Sequence, residues 1–239
     1  MTIRDWDGVA LIIGAGDIGK CMSDYLTTIS PKLDVFVCGR NLKSQNAIYL
    51  DLENDHSFIS FENQISLFNK PLRLVINTSG FLHSTHLKPE KRLSHISRSN
   101  IIKNFSINSI APILIAKSIE KFIRPELPFS YASLSARVGS IGDNRLGGWY
   151  SYRASKAAQN QFLKTLSIEW RRKFPLSIVS ILHPGTCDTK LSKPFQSAVP
   201  KGKLFTPAQS TEYLINIISS QKPDDSGKFL AWDSSVIPW

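Results

Sequence analysis

The chain reads as an α/β domain: a doubly wound parallel sheet with helices on both faces. Three observations predict it. Apolar runs of strand length alternate with longer segments of helical period. A glycine-rich turn closes the first strand, and the inner strands are apolar throughout rather than alternating. Residues 9–13 form that first strand, and a helix follows over 18–29. Further strands lie at 35–38, ending at Gly39-Arg40, and at 72–76, ending at Asn77-Thr78-Ser79-Gly80. A long helix is expected over 101–122, with Phe105, Ile113, Ala116 and Ile119 among its apolar positions. Residues 129–134 are the next strand. A helix then runs from Tyr152 to about 172, with Ala158, Phe162, Leu166 and Trp170 on one face. A strand at 176–182 ends at His183-Pro184-Gly185, and a helix near 207–219 and a strand at 228–232 complete the pattern.

A chain of 239 residues, 42% hydrophobic and 20% charged, suits one domain over 1–239 with a sizeable core. No run approaches the roughly 18 apolar residues of a membrane span. Arg4, Asp5, Trp6 and Asp7 precede the first apolar stretch, unlike a secretory signal, so a cytoplasmic location is expected. Cys21, Cys38 and Cys187 have neither metal-ligand nor disulfide-framework spacing. His83 and His86 have no evident third ligand, so no metal is expected. The net charge of +10 invites a nucleic-acid partner, but the basic residues are scattered and the runs at 88–92 and 171–173 are short. Attraction of an anionic cofactor, or plain solubility, explains the charge more cheaply.

Gly14-Ala15-Gly16-Asp17-Ile18-Gly19 matches G-x-G-x-x-G directly after a strand and at the start of a helix. Glycines there permit a tight turn and close approach of the backbone to a pyrophosphate on the helix N-terminus. Arg40 ends the second strand with no acid beside it, and an arginine fork suits the 2′-phosphate of NADP(H), favoured here over NAD(H). Tyr152 and Lys156 are four residues apart, which puts a phenol and an ammonium on one helix face. A nearby cation favours the ionised phenol, making it usable for proton transfer.

The glycine turn, Asn77-Thr78-Ser79-Gly80, Asn108 before Pro112, Tyr152-x-x-x-Lys156 and Pro184-Gly185-Thr186 with Thr189 stand in the order and spacing of the short-chain dehydrogenase/reductase family, which the whole chain resembles. The segment 139–150 and the ending Ile237-Pro238-Trp239 resemble its C-factor-like subgroup. The resemblance implies a Rossmann-like fold and hydride exchange between a carbonyl or alcohol substrate and the cofactor. It implies that Tyr152 is the acid/base, Lys156 its partner on the nicotinamide ribose, and Asn108 the holder of a relay water at a helix kink. Asp51 and Leu52 would contact the adenine, and Asn77, Thr78, Ser79 and Gly80 the ribose. Pro184, Gly185, Thr186 and Thr189 would flank the nicotinamide and pyrophosphate, with a substrate loop over about 184–207. A homodimer or homotetramer is implied as well.

Two positions depart from the family pattern. Ile13 and Asp17 replace glycines of G-x-x-x-G-x-G, and Asp17 brings a carboxylate towards the expected pyrophosphate, unfavourable unless it turns outward or caps the helix. The serine expected three residues before Gly139 is Ala136. Ser135 is the favoured substitute, provided the strand has ended or bulges there, because neighbouring strand residues point to opposite faces. Ser133, Ser140 or no serine at all are the alternatives. These departures sustain a second reading, a dinucleotide-binding signalling or sensor protein with weak catalysis.

Overall fold

Val9, Leu11 and Ile13 point into one helical layer while Ala10 and Ile12 point into the other, so β1 (Gly8–Ile13) is buried along its length. The computed structural model, which describes residues 2–239, continues with β2 (Leu33–Gly39), β3 (Ala47–Tyr49), β4 (Leu72–Asn77), β5 (Phe129–Leu134) and β6 (Ser177–His183). The short β7 (Thr186–Cys187) and β8 (Leu204–Phe205) and then β9 (Phe229–Ala231) follow. Seven of these strands form one parallel sheet in the order β3-β2-β1-β4-β5-β6-β9. The chain winds outward from β1 in one direction and returns past it in the other, placing a topological switch between β1 and β4.

The helices are α1 (Asp17–Ile29), α2 (Asp55–Ile65), α3 (Arg98–Phe105), α4 (Ala111–Ile119), α5 (Tyr150–Lys173) and α6 (Pro207–Ser220). On one face Phe58, Phe61 and Ile65 of α2, Ile115 and Ile119 of α4, and Leu163, Leu166 and Trp170 of α5 share one apolar core with the odd-numbered residues of β1. On the other, Met22 and Leu26 of α1 pack with Leu214, Ile215 and Ile218 of α6. Single-domain doubly wound architecture follows from this two-sided burial.

Three expectations need adjustment. The helix expected over 101–122 begins at Arg98 and is interrupted by a wide turn at Ser106–Ile110, before α4. Pro112 has no N–H to offer the carbonyl of Asn108 four residues earlier, which favours this local widening. Along α5 the buried stripe is Tyr152, Lys156, Gln159, Leu163, Leu166 and Trp170, and Phe162 faces outward with 42% exposure. The stripe follows the helical period of Tyr152 rather than that of Ala158. Finally, β3 and α2 fill a stretch for which polar residues interleaved with Phe58, Phe61 and Ile65 had masked the period.

Candidate active site

Ile13 pairs with both Cys38 and Asn77, Asn77 with Ser133, and Leu134 with Leu182. The C-terminal ends of β1, β4, β5 and β6 are therefore level, and the loops leaving them share one edge. A cleft of about 700 Å³ opens there, at the switch point.

Its floor is the turn after β1. Gly14 has φ +102°, a left-handed conformation that favours glycine, and Thr78 Oγ1 braces the turn by donating to the Ile13 carbonyl (3.0 Å). At Gly19 a Cβ would lie 2.0 Å from the Gly14 carbonyl oxygen, so only glycine fits against the turn. Gly16 differs: a Cβ there would meet no protein atom within 4 Å. It precedes α1 as the N-cap and opens onto the cleft with Ile18 beside it. Asp17 turns its carboxylate towards the loop after β6, where Oδ2 accepts the Lys190 N–H (3.3 Å).

Arg40, Asp51 and Leu52 line the cleft beyond β2 and β3, and Arg40 is exposed at the lip. Lys20, Lys103 and Lys190 add positive charge, although Lys103 is paired with Glu53 at 2.5 Å. Thr78, Ser79 and Gly80 line the wall after β4. Asn77 stands behind them, its Nδ2 donating to Ser133 Oγ (2.9 Å) and its Oδ1 accepting from Ser79 N (3.1 Å) and Oγ (2.5 Å). Pro184 and Thr189 line the opposite wall. Gly185 (φ +75°) and Thr186 lie behind them, where β7 pairs with β8 and ties down the expected substrate loop.

At the far end Tyr152 and Lys156 emerge from the first turns of α5. Both are buried, at 8% and 2% exposure. Lys156 Nζ donates to the Leu134 carbonyl and to Gln159 Oε1, each at 2.9 Å, and lies 5.9 Å from the centre of the Tyr152 ring. Burial pushes the Tyr152 phenol above its ordinary range and the Lys156 ammonium down to about 7. Sequence reasoning expected the lysine to lower the phenol. In this pocket desolvation is the larger influence on both groups, and two protein acceptors already hold the ammonium.

Asn108 is fully buried behind Gly80. Its Oδ1 accepts the Phe81 N–H (2.7 Å), and its Nδ2 donates to the Phe81 carbonyl (2.8 Å) and to Ser155 Oγ (3.0 Å). Ser135 lines the cleft beside Tyr152. β5 ends at Leu134, so Ser135 stands one residue past the strand, although its N–H still bonds the Leu182 carbonyl and Ala136 stays extended, without a bulge. The Ser135 hydroxyl donates to Asn160 Oδ1 at 2.6 Å, while Asn160 Nδ2 is buried without a partner. Trp149, left-handed at φ 52°, packs edge-on against Tyr152 (6.1 Å) and Phe195 (4.9 Å).

The family model for short chain dehydrogenase matches residues 8–200. The chain belongs to this family. It is similar to the C-signal protein of Myxococcus xanthus, 27% identical over 62% of this chain and 83% of that protein. A Rhodococcus protein named 1-hydroxy-2-glutathionyl-2-methyl-3-butene dehydrogenase is 31% identical over 58% of each chain, little more than half its length. Among solved structures, NADPH-bound carbonyl reductase from chicken fatty liver aligns over 100% of this chain and 99% of its own at TM-score 0.85 and 22% identity. The carbonyl reductase Sniffer of Drosophila melanogaster aligns at TM-score 0.84 and 21% identity, over 98% and 100%. At those identities the likeness establishes the shared fold.

As a short-chain dehydrogenase the chain carries site residues that sequence reasoning missed. Gln159 orients Lys156, and Asn160 holds Ser135. Arg153, inside the Tyr–Lys motif, spans the preceding loop by donating to the carbonyls of Gly147 (3.1 Å) and Gly148 (3.0 Å). Spacing alone hinted at one set: Asn100, Asn104 and Asn108 recur every four residues, on one face.

Proposed function

We propose that this protein is an NADP(H)-dependent oxidoreductase that interconverts a carbonyl and an alcohol. The observation that carries the reading is the convergence of Tyr152 and Lys156 on the same cleft as the open Gly16 turn and Arg40. That donor set fits a dinucleotide. The α1 N-terminus and the space beside Gly16 suit the pyrophosphate, Arg40 suits a 2′-phosphate, and Asp51 and Leu52 suit the adenine. When bound, the nicotinamide supplies or accepts the hydride.

The protein's own groups handle the proton and the geometry. Tyr152, held protonated by burial, donates its phenolic proton to the substrate oxygen during reduction and takes it back in the reverse direction. Lys156, with two donors committed to Leu134 and Gln159, has a third for the ribose side of the cleft. Asn108 fixes the wall after Gly80 and the α5 residue Ser155. Ser135 is the second donor to the substrate oxygen. Half a turn of the Asn160 carboxamide would let Nδ2 donate to Ser135 Oγ and free the hydroxyl proton for that task.

Two measurements test this assignment. NADPH should bind purified protein more tightly than NADH by fluorescence, and Arg40→Ser should weaken NADPH alone, by about tenfold or more. Equal affinities in the wild type would remove Arg40 as a phosphate clamp. Ser135→Ala should lower kcat at least about tenfold, in keeping with loss of one oxyanion donor. Unchanged kinetics would leave Tyr152 as the only donor.

A further inference from the structure

Glu90 is 1% exposed, yet among the described residues no lysine or arginine lies within salt-bridge reach of it. Its charge is met by neutral donors. Oε2 accepts the Ser151 N–H (3.1 Å), and Oε1 accepts the Ser151 hydroxyl and Asn100 Nδ2 (2.6 Å). The Glu90 carbonyl accepts the Trp149 N–H (2.5 Å). Trp149 and Ser151 are the N-cap and second residue of α5, where orphan N–H groups and the helix dipole favour a carboxylate. From Asn100 the bonds continue along α3. Asn104 Nδ2 donates to Asn100 Oδ1 (3.0 Å), Asn108 Nδ2 shares its two protons among Asn104 Oδ1 (3.2 Å), Ser155 Oγ and the Phe81 carbonyl, and Ser155 Oγ donates to the Tyr152 carbonyl (2.8 Å). The path returns to Ser151 within the first turn of α5. It is a closed ring, and Glu90, Asn100, Asn104, Asn108, Ser151 and Ser155 are each no more than 3% exposed.

We propose that Glu90 is a positioning residue for the reaction, fixing Tyr152 and Asn108 relative to each other by capping α5 and terminating the asparagine chain of α3. The proposal rests on Tyr152 being the acid/base. Glu90 touches neither the substrate nor the cofactor side of the cleft, so it acts through the two elements it joins. Both carboxylate oxygens are needed as acceptors. A glutamine would keep the shape but present an amide N–H₂ to another donor, which opens the ring at one point.

The test is Glu90→Gln in the full chain. The kcat for NADPH-dependent carbonyl reduction should fall at least about tenfold, as small misplacements of a catalytic group do. The NADPH dissociation constant should rise far less than kcat falls, because the turn after β1 and Arg40, proposed to hold the phosphates, lie outside the ring. Hydrogen exchange at the Trp149 and Ser151 amides should accelerate at least about tenfold. A kcat within twofold of wild type overturns the proposal. So does a parallel loss of kcat and NADPH affinity, which would make Glu90 a general prop of the fold. If the wild type reduces no carbonyl, the proposed reaction fails. The exchange rates then decide separately whether Glu90 fixes α5, and unchanged rates overturn that part too.

Discussion

Lys156 shows what burying a cation costs a fold. Its ammonium is buried at 2% exposure and is pushed down to about 7, against an ordinary lysine value near ~10.4. Between those values the unfolded chain binds more protons than the folded one, so this residue makes stability rise with pH across that window. The slope is at most about 1.4 kcal/mol per pH unit. Denaturant unfolding of wild type and Lys156→Met at pH 7, 8 and 9 should therefore diverge, the wild type gaining on the variant as pH rises. Parallel curves would show that the buried ammonium is not depressed. The Tyr152–Lys156 spacing was legible in sequence because it is local. The partners that hold Lys156, the Leu134 carbonyl and Gln159 Oε1, were not, since one comes from a strand that meets α5 only after folding. Ser135 was picked out by its neighbour Ala136, but its bond to Asn160, 25 residues away, could not be read from the chain.

Among the elements, the turn between β1 and α1 does the most with the fewest residues. Two of its glycines play different parts. Gly19 is required by packing, since a Cβ would strike the Gly14 carbonyl oxygen, whereas Gly16 faces open space. Gly16→Ala should accordingly leave folding stability within about 1 kcal/mol, the scale of an N-cap change. It should weaken NADPH binding at least about tenfold, because the methyl group occupies the space proposed for the pyrophosphate. Gly19→Ala should instead destabilise the fold by more than about 2 kcal/mol. Undiminished NADPH binding by Gly16→Ala would move the phosphate site elsewhere. The break between α3 and α4 was foreshadowed by Asn108 and Pro112, but the long apolar period read straight through it. Glu90 was hidden more thoroughly, because it stands within residues 88–92, a stretch that reads as a solvated basic run.

Over the whole molecule, the alternation of strands and helices was enough to predict the sheet, its parallel sense and the edge where the cleft opens. The family membership and the carbonyl reductase folds agree with that architecture. No helix among the described residues is long and apolar enough to cross a membrane. Packing that depends on distant segments stayed out of reach: the asparagine ring, the pairing of β7 with β8, and the Trp239 carbonyl accepting the Gly142 N–H beside the segment that leads into α5. The central claim is that this scaffold exists to bring Tyr152 to a substrate oxygen beside a bound dinucleotide. The direct measurement is NADPH-dependent turnover of a panel of aldehydes and ketones by wild type and Tyr152→Phe, with NADPH affinity measured on both. Loss of the phenolic proton should reduce the rate by roughly 10²–10⁴ while affinity is preserved. A Tyr152→Phe variant that keeps the wild-type rate would contradict the account.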